Sequence, residues 1–287
     1  MAPAEELSIA LPQATLTAKR WGDASKPPLL ALHGWLDNAG SFDFLAPLLA
    51  DDRQQVVALD LRGHGHSSHI APGAWYHYVD YFDELRGVLD HFGWAKVDLL
   101  GHSLGGTLAS LFAALYPERV GSLLLIEALG PLTTTLDDAL PRLRRALDQQ
   151  ASFSSRRPLR VFPTLDEAIA ARVLANDLSE PAARAIVARG VDAVDGGYVW
   201  SSDPRLTLVS PQRFTEAEVM AMLAGIRAPT LLVLAEPATS YLPTAMMDAR
   251  AAQVAGVRMQ RLPGHHHLHM EDAAAVADVI RAFQAAL

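Results

Sequence analysis

The sequence predicts an α/β chain: a mostly parallel, eight-stranded sheet covered by helices, with a helical insertion. Three observations carry this. Continuous apolar runs such as PPLLALHG (27–34), QQVVALDLRG (54–63) and PTLLVLA (229–235) suit strands buried on both faces. Stretches of helical spacing alternate with them, which favours parallel strands joined by crossover helices. The chain has 287 residues, 50% of them hydrophobic and 20% charged, enough to bury one large core.

In order, LSIAL (7–11) and ATLTAKRW (14–21) alternate enough for a hairpin around Pro12-Gln13. The strand at 27–34 is followed by helical spacing over 41–50, through Phe42, Leu45, Leu48 and Leu49. The strand at 54–63 is followed by a helix over 76–92. KVDLL (96–100) precedes a helix from Leu104 to Tyr116, which Pro117 ends. SLLLIE (122–127), PTLLVLA (229–235) and VRMQRLP (257–263) complete the strands, and a helix over 272–286 closes the chain. Residues 130–215 break the alternation with helical stripes at 136–147, 164–175 and 180–190. They are too long for a βα loop and are expected to form a mostly helical cap between two strands of a core made of 1–129 and 216–287. GGYVWSSDPRL (196–206) is expected to lead the chain back towards the sheet.

The net charge of −8 and the lack of a basic block argue against a nucleic-acid partner. The absence of cysteine excludes disulfides, thiol catalysis and cysteine-ligated metals. MAPAEELSIA lacks the features of a secretory signal, and no apolar run approaches the ~18 residues of a membrane span. The expectation is a cytoplasmic protein with a small-molecule partner and no cofactor; nothing in the sequence sets an oligomeric state.

DLLGHSLGGTLAS (98–110) sets Gly101, Ser103 and Gly105 in a G-x-S-x-G pattern between a strand and a helix. A serine on such a tight turn projects its hydroxyl from the sheet edge, and the glycines remove side chains that would collide. The competing reading is a helix-capping serine. A nucleophile would need two N–H groups to hold an oxyanion. Leu104, at the helix start, and Trp35, in the LALHGWLDN turn, are the candidates. His33 in that turn reads as structural support. A base is expected on PGHHHLHMED (263–272), which offers His265, His266, His267 and His269. No metal is expected there, because neither an H-E-x-x-H helix nor a suitable carboxylate spacing accompanies the histidines.

Together, LALHGWLDNAGSFDFLAPLL, VVALDLRGHGHSS, LLGHSLGG, YPERV and PGHHHLHMED resemble the α/β-hydrolase family, in the family's order and over the whole chain except the insertion. HGWLDNAGSFD and the terminal histidine loop further resemble its serine hydrolase-like branch. The resemblance implies the α/β-hydrolase fold. It implies His266 as the base, with His269 as the second histidine of the loop, Glu271 following, and His265 where glycine or asparagine is usual. It also implies that Asp60, Arg62 and Gly63 form a structural turn.

The acid departs from the family pattern, because Ala238 stands where an aspartate is expected. Glu127, at the end of an apolar strand, is the first replacement, since a charge there is costly unless paired. Glu236 is the second, and no acid at all is the remaining alternative. The leading expectation is a serine hydrolase that cleaves a small carboxylic ester through a Ser-His-Glu triad. Phe153, Phe162, Tyr198 and Trp200 could line an acyl site, but such residues more often form the insertion's own core. Lactone, amide or carbon–carbon hydrolysis is the alternative within the fold, and a non-catalytic small-molecule binder is the alternative outside enzymology. A serine nucleophile disfavours a dehalogenase or an epoxide hydrolase.

Overall fold

A computed structural model of the chain describes residues 4–153 and 160–287. The antiparallel pair β1 (Glu5–Ala10) and β2 (Thr15–Trp21) opens the chain. Then come β3 (Pro28–Leu32), α1 (Ala46–Leu49), β4 (Gln55–Asp60), α2 (Tyr78–His91), β5 (Val97–His102), α3 (Leu104–Leu115) and β6 (Val120–Ile126). The region expected to be inserted carries α4 (Ala139–Ala151), α5 (Leu165–Asn176), α6 (Glu180–Gly190), β7 (Val191–Val194) and β8 (Gly197–Trp200). The remaining elements are α7 (Glu216–Leu223), β9 (Thr230–Glu236), α8 (Thr244–Ala251), β10 (Arg258–Pro263), α9 (Leu268–Glu271) and α10 (Ala273–Gln284).

All eight expected strands pair in one sheet, in the order β1-β2-β4-β3-β5-β6-β9-β10. β1/β2 and β2/β4 are antiparallel, and every other pair is parallel. β4 lies on one side of β3 and β5 on the other, so the crossovers part at the carboxyl ends of β3 and β5, where open α/β sheets form their crevice. That crevice receives the turn at Gly34-Trp35 and the turn at Ser103.

Strand alternation divides the core between the two faces of the sheet. In β3, Leu30 and Leu32 join α2 and α3 on one face, while Leu29 and Ala31 join α1 and α10 on the other. A third apolar cluster sits in the expected insertion, where Ile169, Ala183, Ile186 and Val187 from α5 and α6 close around Phe162 and Met270.

Three local expectations change. The helix expected over 41–50 is a 3-10 turn at Ala39–Phe42 followed by the single turn of α1. Asp60 Oδ1 takes the Ala39 N–H (2.7 Å) and Asn38 Oδ1 takes that of Gly40 (2.9 Å), so side chains rather than helix carbonyls hold the start of this segment. Residues 191–200 are a hairpin, β7–β8, turning at Asp195-Gly196. The return to the sheet begins after it, where Asp203 N–H donates to Gly63 O at 2.8 Å and the Tyr76 hydroxyl donates to Asp203 at 2.8 Å. Helices α7 and α8 complete the covering. Among the described residues, no helix is long and apolar enough to cross a membrane.

Candidate active site

The strand-to-helix turn at Ser103 is strained. Ser103 has φ 51° and ψ −113°, a conformation that L-residues avoid, and its side chain makes no capping hydrogen bond to α3. The capping reading of this serine therefore fails. The turn is tight because glycines allow it. A Cβ on Gly101 would come within 2.5 Å of Gly105 O, and one on Gly105 within 2.0 Å of Leu32 O. Leu36 (φ 61°) and Glu127 (φ 54°) are also left-handed, so the loops leaving β3, β5 and β6 are all strained at the same rim.

The turn's amides are allotted unequally. Ser103 N–H donates to Ile126 O (3.0 Å) and Gly105 N–H to His33 O (2.9 Å). Leu104 N–H, between them, is the first amide of α3 and lies where helices leave donors over. Trp35 stands opposite on the β3 loop, with its indole N–H on Leu206 O at 3.1 Å. His33 has the structural place expected of it. Its Nδ1–H donates to Gly34 O (2.7 Å) and its Nε2 accepts Leu61 N–H (3.0 Å), which joins the two loops. Asp60 is likewise structural: it accepts from Thr17, Ala39, His66 and Arg189.

Of the two acid candidates, Glu127 meets the histidine. Its Oε2 lies 3.2 Å from His266 Nδ1, and its Oε1 accepts Ala235 N–H at 2.5 Å. Glu127 is 2% exposed, so both carboxylate oxygens are held where water scarcely reaches. Glu236 is exposed; its carbonyl accepts Gly264 N–H (3.1 Å). The histidine loop also comes into register. His265 faces solvent, His266 faces Glu127, and His269 is buried against Phe42. His266 O accepts from Nε2–H of His102, the neighbour of Ser103, at 2.8 Å, which draws the loop onto the serine turn. No hydrogen bond joins Ser103 Oγ to His266 among the described residues; such contacts often tighten only with substrate bound.

Residues 27–188, more than half the chain, match the family described as the alpha/beta hydrolase fold. The chain belongs to that family. Along 98% of its length it is 33% identical to the serine hydrolase-like protein of Danio rerio, of which it covers 88%. It superposes on a hypothetical protein of Pseudomonas aeruginosa PAO1 with a TM-score of 0.92 at 41% identity, covering 98% of this chain and 99% of that one. It superposes on a thioesterase domain from the curacin biosynthetic pathway with a TM-score of 0.87 at 26% identity, covering 98% and 100%. This α/β hydrolase therefore sits in the serine hydrolase-like branch.

Sequence reasoning missed a buried cluster behind the serine of this hydrolase. Asp37 pairs through Oδ1 with Arg172, and its Oδ2 lies 3.3 Å from His267 Nε2 and 3.7 Å from His102 Nδ1. Burial alone would raise the Asp37 carboxyl, but His267 and Arg172 hold it well below the usual range. Asp37, His102 and His267 bring three possible ligand atoms within 4.8 Å of one another. Arg172, on the other carboxylate oxygen, already supplies a countercharge there, and the cluster reads as support for the turn. Asp37 within HGWLDN and His102 within GHS were its available signals.

Several buried histidines give this protein a pH dependence. Burial pushes His64 and His269 down to about 3, and it also lowers His33 and His102. The unfolded chain would protonate these groups near 6.5 and the folded one would not, so their contribution is complete above that value and is lost as pH falls towards about 3. Glu84 acts in the opposite sense. Burial raises its carboxyl to about 7 despite Arg62, so its contribution declines as pH rises from 4.5 to about 7. Burial also raises the carboxyls of Asp43 and Asp98. The four lowered histidines, two of them at about 3, outweigh these three carboxyls, so the urea midpoint should fall from pH 6.5 to pH 4. A flat or rising midpoint over that range would contradict these burials.

A cavity of about 800 Å³ opens beside the site. Trp35 and Leu104 stand in its wall, together with Tyr78 of α2, Leu140 and Leu143 of α4, and Val209. Of the four aromatic residues that could line an acyl site or form the insertion's own core, three take the core reading. Phe162, Tyr198 and Trp200 join the α5–α6 cluster, with Phe162 bridged to Tyr198, because these rings fill that small core. Phe153 is not among the residues of the cavity wall.

Proposed function

We propose that this α/β hydrolase cleaves a small carboxylic ester through an acyl-enzyme. Ser103 is the nucleophile, His266 the base, Glu127 the acid, and the Trp35 and Leu104 amides hold the oxyanion. Residues 130–215 act as the cap over the site, and no metal takes part. The observation that carries the reading is the His266 Nδ1–Glu127 Oε2 contact of 3.2 Å at the rim where Ser103 sits in its strained turn.

With Nδ1–H held by Glu127, the lone pair of His266 is on Nε2, the atom that must take the serine proton. Ser103 Oγ attacks the carbonyl carbon as that proton moves to Nε2. The carbonyl oxygen becomes an oxyanion, and two pre-positioned amides stabilise it, each worth ~10²–10³ in rate. The intermediate collapses as Nε2–H protonates the departing alcohol and leaves acyl-Ser103. Water, deprotonated by the same nitrogen, then releases the acid. Buried Glu127 stabilises the imidazolium at both stages.

One structural relative is a thioesterase domain, which makes a thioester a natural second substrate of the same acyl chemistry. The sequence's argument for a mere binding protein is Ala238, and the contact of Glu127 with His266 weighs against it. Rapid mixing with p-nitrophenyl butyrate tests the reading. The expected result is a burst of p-nitrophenol approaching one equivalent per chain, followed by slower turnover. No ester or thioester hydrolysis by the folded protein would overturn it.

A further inference from the structure

Three arginines stand in the wall of the cavity beside the site: Arg142, Arg205 and Arg213. Two are neutralised. Arg142 lies on Asp138 at 2.8 Å and Arg205 on Asp203 at 2.6 Å. Arg213 is partly buried and has no hydrogen bond or ion pair among the described residues. Residues 1–3 (MAP) and 154–159 (SSRRPL) contain no acid that could serve it. The carboxylates that share the cavity wall are Asp80, which is exposed, and Glu218, which is bound to Thr215 N–H and hydroxyl at 2.7 Å each. Burial first, and then the like charge of Arg142, push the Arg213 guanidinium below its ordinary pKa.

The position of Arg213 is built. The next residue, Phe214, stacks on Tyr78 with ring centroids 6.0 Å apart, and its carbonyl accepts Thr134 N–H at 3.0 Å. Tyr78 lines the same cavity and offers a phenol that burial keeps protonated. A partly desolvated guanidinium with no counterion, beside a phenol donor and in a mostly apolar cavity that starts at the oxyanion amides, is suited to one kind of ligand. We propose that the substrate is an ester carrying an anionic group, a carboxylate or phosphate, on a tail distant from the scissile bond, and that Arg213 binds this group. The proposal rests on the hydrolase reading above and names the substrate class of that site.

The test compares p-nitrophenyl hydrogen adipate with neutral p-nitrophenyl hexanoate, and the hexanoate ester of 4-hydroxybenzoate with that of phenol. The first pair carries the charge on the acyl half and the second on the alcohol half, so the pair that shows a preference identifies the half that enters the cavity. In one pair the anionic ester should be favoured by about tenfold or more in kcat/KM, through KM. Arg213→Gln should abolish that preference and Arg213→Lys should restore part of it. Arg227→Gln, at an exposed arginine whose guanidinium meets Ala224 O, should leave it intact. No preference in either pair, or a preference that survives Arg213→Gln, would overturn the proposal. Calorimetry on the Ser103→Ala protein separates the two readings. Adipate should bind at least about tenfold more tightly than adipamide, and Arg213→Gln should remove the difference, whether or not the enzyme turns over any ester. Equal affinities would sink the anion site and leave the hydrolase reading standing.

Discussion

Replacing Ser103 with alanine is expected to lower ester turnover by about 10⁶-fold in kcat, the scale on which triads lose rate when the nucleophile is removed. The substitution removes one oxygen from a side chain that does not cap α3, so folding should be undisturbed. The glycines that make the turn possible stay in place, and alanine adds no atom to collide with Leu32 or Gly105. A matched urea midpoint beside a collapsed kcat would separate chemistry from stability. A loss of less than tenfold would remove Ser103 from the reaction.

The second large effect is expected at Glu127. Glu127→Gln keeps the shape and replaces the carboxylate that faces His266 Nδ1 at 3.2 Å. An amide cannot stabilise the imidazolium and can turn its NH₂ towards the ring, which favours the wrong tautomer. Loss of the acid from such a triad costs about 10⁴ in kcat. The amide oxygen can still accept the Ala235 N–H, so the β6–β9 junction should survive. Glu236→Gln, on the exposed residue, is the matched comparison and should change kcat by less than about twofold. Reversed magnitudes in these two variants would move the acid to Glu236.

The sheet is legible in the sequence because its strands are buried on both faces. Runs such as VVALD and LLLI need no partner information to be recognised as strands. Ser103 and His266 stand out in the sequence as candidates because the proposed chemistry demands a local setting, a glycine-flanked turn and a histidine on the loop after the last strand. Glu127 is legible by its cost, as a charge ending an apolar strand. Other features depend on contacts distant in sequence. The 3-10 turn at Ala39–Phe42 begins where Asp60, twenty-one positions away, takes the Ala39 amide. Phe162, Tyr198 and Trp200 have the composition of a pocket wall but fill the α5–α6 core, which only their packing reveals. The Asp37–Arg172 pair spans 135 positions. Two missed elements did leave local signs: the Asp195-Gly196 turn of the β7–β8 hairpin, and the capping box of Thr215 and Glu218 at the start of α7.

Covalent labelling distinguishes an activated Ser103 nucleophile from an inert serine. The folded protein would be treated with a fluorophosphonate and examined by intact-mass and peptide mass spectrometry. One phosphonyl adduct per chain is expected, on the peptide containing Ser103, lost in Ser103→Ala and strongly slowed in Glu127→Gln. A folded protein that stays unmodified, or one whose adduct lies on another residue and persists in Ser103→Ala, would contradict an activated Ser103.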